Sequence, residues 1–246
     1  VNAFSLDGRT ALVTGANTGI GQAIAVALAE AGAAVTCAGR RDCDETVERI
    51  RSAGATGDSL RLDFGDPMAA KDLFDERPFD VLVNNAGLIR RADATDFSES
   101  DWDDVMDVNL KAAFFTCQSF ARAVFARNGG GKIVNIASLL SFQGGIRVAS
   151  YTASKHGIAG ITKLLSNEWA ARGINVNAIA PGYIATNNTE ALRDDPKRSE
   201  AILDRIPAGR WGDPTDIAQS VVFLSAPASD YVHGAVLNVD GGWLGR

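Results

Sequence analysis

Seven short apolar runs punctuate this chain, at residues 10–14, 34–38, 59–62, 81–83, 132–136, 175–179 and 236–239. None alternates polar with apolar residues. A strand covered on both faces reads this way, whereas a half-exposed strand shows a period of two. Between the runs lie helical stretches at 20–31, 44–53, 67–76, 98–126, 150–171 and 214–226. Strands that alternate with helices imply right-handed βαβ units and a parallel sheet wound on both faces. One stretch breaks the rhythm. Residues 183–209 are polar, follow Pro181-Gly182, and carry Asn187-Asn188 and Asp194-Asp195-Pro196. A long excursion beside a sheet's carboxyl edge reads as a substrate lid.

The bulk numbers bound the rest. The 246 residues are 46% hydrophobic and 22% charged, enough for one large core, and no linker divides them. We therefore expect one domain over 1–246. The formal net charge is −6 with no basic stripe, which argues against nucleic acid as a partner. Cys37, Cys43 and Cys117 show neither metal-ligand nor disulfide-framework spacing, so no metal site is expected. An odd count fits free thiols in a reducing compartment. The opening residues lack a basic, apolar, cleavable leader, and no apolar run reaches membrane-spanning length. The expectation is a soluble, cytoplasmic protein with no membrane partner.

Several motifs carry chemistry. Thr14-Gly15-Ala16-Asn17-Thr18-Gly19-Ile20-Gly21 follows the first strand and opens the first helix. Glycines there let the backbone approach a pyrophosphate, whose charge the helix N-terminus favours. The fold expected is thus α/β, a single-domain Rossmann-type doubly wound sheet of seven parallel strands. Asp63, ending the third strand beside Phe64, can accept a bond from an adenine amino group; a helix-capping aspartate is the plainer alternative. Asn84-Asn85-Ala86-Gly87 ends the fourth strand with two amides and a backbone able to approach a ligand. Asn109 lies inside a long amphipathic helix, where asparagine is disfavoured unless it bonds something specific. Tyr151 and Lys155 are four apart on a predicted helix and so share a face, with Ser138 upstream on another element. A cation near a phenol favours the phenolate and draws the pair toward general acid/base work.

Together these residues resemble the short-chain dehydrogenase/reductase superfamily, from the glycine turn through Ser138, Tyr151 and Lys155 to Asp240-Gly241-Gly242. The resemblance implies Tyr151 as general acid/base and Lys155 as binder of the nicotinamide ribose and depressor of the tyrosine pKa. It implies Ser138 as donor to the carbonyl oxygen and Asn109 as holder of a relay water. The cofactor would lie along Gly15, Asn17, Thr18, Gly19, Ile20, Gly21, Asp63, Phe64, Asn85, Ala86, Gly87, Pro181 and Gly182. Ile184 and Thr186 match the segment that holds the carboxamide. Loop segments such as Gly87–Arg91, Ser141–Arg147 and Gly241–Leu244 are similar to a branch acting on keto-deoxy sugar acids. That resemblance implies ketone–alcohol interconversion on a sugar acid. Relatives also pair their long helices across two-fold axes, which implies a homotetramer.

The second strand ends at Gly39, where many NAD-dependent members place an acid, and Arg40 and Arg41 follow. A guanidinium without a neighbouring acid welcomes a 2′-phosphate, so the local chemistry favours NADP(H) over NAD(H). An anionic substrate needs a cationic partner. Arg147, between Ser138 and Tyr151, is the first candidate and Arg90 the second, with a surface ion pair the alternative for each. Gln143 can bond hydroxyls, and Trp211 can close on the substrate or anchor an interface. Two other functions remain: another carbonyl reductase of the family, on a 3-oxoacyl thioester or uronate-derived ketone, and a nucleotide-binding scaffold without turnover.

Overall fold

The structure, a computed structural model, describes residues 2–245. Every expected strand forms: β1 (Thr10–Thr14), β2 (Ala34–Gly39), β3 (Gly57–Arg61), β4 (Val81–Asn84), β5 (Gly131–Ile136), β6 (Ile174–Pro181) and β7 (Val236–Val239). They make one sheet in the order β3-β2-β1-β4-β5-β6-β7, with all neighbours parallel. The strand order reverses between β1 and β4. A crevice opens at such a switch point outside the carboxyl ends of the strands, and ligands of open α/β sheets bind there.

Helices α1 (Gly19–Glu30), α2 (Asp44–Ser52) and α3 (Leu73–Glu76) lie in the first half of the chain. Next come α4 (Glu99–Met106), α5 (Ala112–Ala126), α6 (Ala149–Trp169), α7 (Glu190–Arg193), α8 (Pro196–Leu203) and α9 (Pro214–Ser225). The strands explain their own lack of alternation. Val13, Val83 and Val134 join Ile24 and Leu28 of α1 and Val221 of α9 on one face. Their neighbours Leu12, Leu82 and Ile133 point the other way, toward Phe120 of α5 and Leu165 of α6. Successive side chains of a strand alternate faces, and here both faces are dry.

Three expectations change in detail. The stretch 98–126 is not one helix, because a π-helical turn, Asp107–Lys111, separates α4 from α5. The stretch 67–76 is helical only over Leu73–Glu76. Side-chain bonds to nearby backbone (Asp63 Oδ1 from Gly65 N at 2.9 Å, Asp66 Oδ1 from Met68 N at 2.9 Å) hold its start in turns. Finally, 183–209 carries α7 and α8; Asp195 caps α8 by accepting from the backbone N–H of Lys197 and Arg198, with Pro196 in the first turn. No helix among the described residues is long and apolar enough to cross a membrane.

Candidate active site

The glycine turn is built against the end of β4. The Thr14 hydroxyl accepts the backbone N–H of Asn85 at 3.0 Å and of Ala86 at 2.9 Å. Asn85 returns the contact, its Nδ2 donating to the carbonyls of Thr14 (3.0 Å) and Gly15 (3.1 Å). Only glycine fits two of these positions. Gly15 has φ +65°, and a Cβ at Gly21 would overlap the Gly15 carbonyl and Asn85 Nδ2. No side chain caps α1 at Thr18, and its first turn carries no acid. Its N–H groups and partial positive charge suit a pyrophosphate. Thr186 packs over the turn, its Cγ2 lying 3.6 Å from where a Gly19 Cβ would stand. The residues present therefore fit a dinucleotide. At the end of β2 stands Gly39 with Arg40 and Arg41 exposed, and Asn17 Oδ1 lies 3.5 Å from where a Gly39 side chain would begin. Asp63 is exposed and Phe64 buried beneath it. Gly182 fits where any Cβ would strike Asp240, and Ile184 is buried against Gly212.

The side chains expected to react converge past the carboxyl end of β5. Ser138 heads a 3₁₀ turn, Leu139–Ser141, in which its Oγ accepts from Leu140 N at 3.2 Å and its N–H donates to Ser141 Oγ at 3.3 Å. Ser141 Oγ in turn donates to the Lys155 carbonyl at 2.6 Å, tying this turn to α6. Lys155 is buried and its Nζ donates to the Ile136 carbonyl at 2.6 Å, 5.5 Å from the Tyr151 ring centroid. Burial pushes its pKa down to about 8. Burial also pushes the Tyr151 phenol up, while a hydrogen bond with Ser138 and the nearby Arg91 guanidinium pull it down. Asn109 sits buried in the π-helical turn; its Oδ1 accepts Leu88 N (2.8 Å) and its Nδ2 donates to Leu88 O (2.9 Å) and Ser154 Oγ (3.3 Å). The amide thus fastens the segment after β4 to the helix below, and π-turns of this kind recur at functional sites. Gly87 lies directly beside it.

The substrate candidates separate. Arg90 is held by Asp101 (3.1 Å) and Asp104 (3.0 Å) of α4. Arg147 is exposed, has φ +63° and pairs with Asp93 at 3.2 Å. Its carbonyl accepts Ala92 N at 3.2 Å, joining the loop after β4 to the loop before α6. Arg91 immediately precedes this join, and its charge acts on the Tyr151 phenol. Gln143 is half-buried, and its Oε1 accepts from Trp243 Nε1 at 3.3 Å. Trp211 packs edge-on to Tyr183 at 5.6 Å with its Nε1 buried and unpaired. Sequence reasoning quoted Thr14, Arg91, Ser141 and Trp243 within its motifs but gave none of them a role of its own. Arg91 stood in a segment already singled out, and only its neighbour was chosen. His156, given no role, is exposed and bonds the Thr152 carbonyl one turn back.

A Rossmann-like parallel sheet with serine, tyrosine and lysine gathered at its carboxyl edge defines a nicotinamide-dependent oxidoreductase. The chain belongs to the short-chain dehydrogenase/reductase family, and residues 15–244 match the family model described as enoyl-(acyl carrier protein) reductase. It is 53% identical over 251 residues to the 2-dehydro-3-deoxy-D-gluconate 5-dehydrogenase of Escherichia coli K12, covering 100% of this chain and 99% of that protein. It is 56% identical over 250 residues to the protein of the same name from Bacillus subtilis, covering 100% and 98%. A crystal structure from Agrobacterium tumefaciens, of a proposed 2-deoxy-D-gluconate 3-dehydrogenase with bound NADP, superposes with a TM-score of 0.99 at 70% identity, covering all of both chains.

Proposed function

We propose that this enzyme interconverts a ketone and a secondary alcohol on a keto-deoxy sugar acid, as the names of its relatives indicate for them. The observation that carries the reading is the gathering of Ser138, Tyr151 and Lys155 at the sheet's carboxyl edge in a chain 53% and 56% identical, over its full length, to two proteins named for that activity. Arg91, whose charge acts on the phenol, would be the cation that meets the substrate carboxylate. In reduction, Tyr151 donates its proton to the carbonyl oxygen, which Ser138 orients by hydrogen bonding. In oxidation, Tyr151 takes the hydroxyl proton. Lys155, whose Nζ lies 5.5 Å from the Tyr151 ring centroid, would add its charge to the pull of Ser138 and Arg91 on the phenol. The bound nicotinamide would supply or accept the hydride.

Gly15, Asn17, Thr18, Gly19, Ile20 and Gly21 would hold the pyrophosphate side, and Ile184 and Thr186 the carboxamide side. Asp63, Phe64, Asn85, Ala86, Gly87, Pro181 and Gly182 would line the groove between. Arg40 beside Gly39 supports NADP(H) as the preferred cofactor, in keeping with the NADP bound by the Agrobacterium relative. Arg147 and Arg90 would join Arg91 only by giving up their aspartate partners, while Gln143 would meet the bound sugar acid and Trp211 would close over it. The reading includes a homotetramer in the cytoplasm, where three free buried thiols stay reduced.

The test is a panel of keto-deoxy sugar acids and uncharged ketoses with both cofactors. Tyr151→Phe should lower turnover by at least about 10²-fold while cofactor still binds. Arg91→Ala should raise the KM of the acid roughly ten- to a hundredfold, and that of a neutral ketose far less. Turnover of ketoses but of no sugar acid would refute the substrate, and full activity in Tyr151→Phe would refute the chemistry.

A further inference from the structure

Trp243 is buried, 4% exposed, in the 3₁₀ segment Trp243–Gly245 that follows β7. Its ring lies 4.7 Å from the Tyr183 ring, and the Arg205 guanidinium sits over it at 4.0 Å. Leu139 and Ile206 complete the cluster. Leu139 adjoins Ser138, Tyr183 follows the end of β6, and Arg205 and Ile206 follow α8. One indole therefore ties the reacting edge of the sheet to the excursion that reads as a lid.

Its one polar atom is committed as well, the Nε1–H donating to Gln143 Oε1 at 3.3 Å. An indole N–H only donates, so the atom it meets is the amide oxygen, and the amide's two N–H donors face away. A glutamine without such a partner can turn its amide over and offer either end.

We propose that Trp243 is a positioning residue that sets the polarity of the Gln143 amide, so that Gln143 meets the substrate as a donor only and favours a carboxylate-bearing sugar over its neutral counterpart. The inference rests on the substrate reading above for what enters the cleft. A carboxylate accepts and never donates, and a wall offering only donors suits it at every approach. A flipped amide would meet it with a lone pair and lose the bond. Arg91 supplies charge; Gln143 supplies direction.

Two variants test this. Trp243→Phe keeps an aromatic ring for Arg205 and Tyr183 but has no N–H. Its KM for the sugar acid should rise about tenfold, with kcat and the cofactor KM changing less than about twofold. Gln143→Glu keeps the bond to the indole through one oxygen and turns a negative charge toward the substrate. The KM of the acid should then rise more than about a hundredfold, and that of a neutral ketose of the same length less than about threefold. A wild-type KM in Trp243→Phe, or equal losses for acid and ketose in Gln143→Glu, would overturn the proposal. Should Trp243→Phe fail to fold, the Gln143→Glu comparison decides alone. A wild-type enzyme that reduces ketoses but no sugar acid overturns the substrate reading instead. The positioning role then falls with it, because a sugar hydroxyl can bond either end of the amide.

Discussion

Thr14 closes β1 with a hydroxyl that accepts two backbone N–H groups from residues more than seventy positions away. Valine matches it in shape and strand preference but leaves both donors without a partner, at about 1–3 kcal/mol for each one orphaned. Thr14→Val should therefore lose about 2 kcal/mol or more in denaturant unfolding, and Thr14→Ser much less; equal stability in all three would show that water serves those groups. The sequence marks Thr14 as the head of the glycine turn but not this role, because its partners are long-range and strand periodicity is silent about hydroxyls. Tyr151 and Lys155 could be paired from the sequence because one helix turn spaces them, whereas Ser138, on another element, joined them through the resemblance alone. Lys155 offers a pH test. Its folded pKa of about 8 lies below the ordinary 10.5. Between those values the unfolded chain holds a proton that the folded one has lost, so stability rises with pH. Tyr151, raised above its usual 10.0, keeps its proton in the folded state, and because it is present in both proteins its unfolded-state titration near pH 10 cancels in a comparison with Lys155→Met. Between pH 8 and 9.5 the cofactor-free enzyme should gain stability over Lys155→Met by about 1 kcal/mol per pH unit. Parallel unfolding curves would mean that Lys155 titrates as it does in water.

At the scale of elements, the strands were easy to read and two helical stretches were not. Periodicity marked 98–126 as apolar on one face, but it carries no sign that Asn109 bonds the Leu88 backbone and widens a turn to do so. Likewise 67–76 has helical spacing, which local aspartate-to-backbone bonds defeat at its start. The cap of α8 was visible as Asp195-Pro196, yet the polar composition around it suggested an open excursion. The end of β2 carries the cofactor prediction. A Cβ at Gly39 would lie 3.0 Å from the Arg41 carbonyl, and Gly39 has no left-handed φ, so a side chain needs only a small shift. Gly39→Asp should move the ratio of kcat/KM values toward NAD(H) by at least about tenfold, through diol bonding and repulsion of the 2′-phosphate. Arg40→Ala should weaken NADP(H) selectively, most at low ionic strength. An unchanged cofactor ratio in Arg40→Ala would place that guanidinium in solvent.

For the whole molecule, the doubly wound sheet followed from the alternation of strands and helices, since each strand's dry neighbours leave one arrangement of layers. The outer surface is harder to read, because single exposed apolar residues are common on any protein. Several of them lie on two pairs of neighbouring segments. Trp102 of α4 and Leu164 of α6, 40% and 48% exposed, lie on helices that pack side by side. Leu237 is 38% exposed on β7, the last strand of the sheet, and Tyr231 just before it is fully exposed. Two separate apolar surfaces allow two kinds of self-complementary contact, and two such contacts close as a tetramer of dihedral symmetry. We therefore expect light scattering at micromolar concentration to give about four times the mass of one chain. Leu164→Glu and Leu237→Glu should each reduce the assembly to a dimer through the contact that remains, and together to a monomer, with far-ultraviolet dichroism unchanged because both side chains already face water. A wild-type protein with the mass of one chain and full activity would refute the assembly, whereas a dimer split by only one of the two substitutions would show which surface alone pairs.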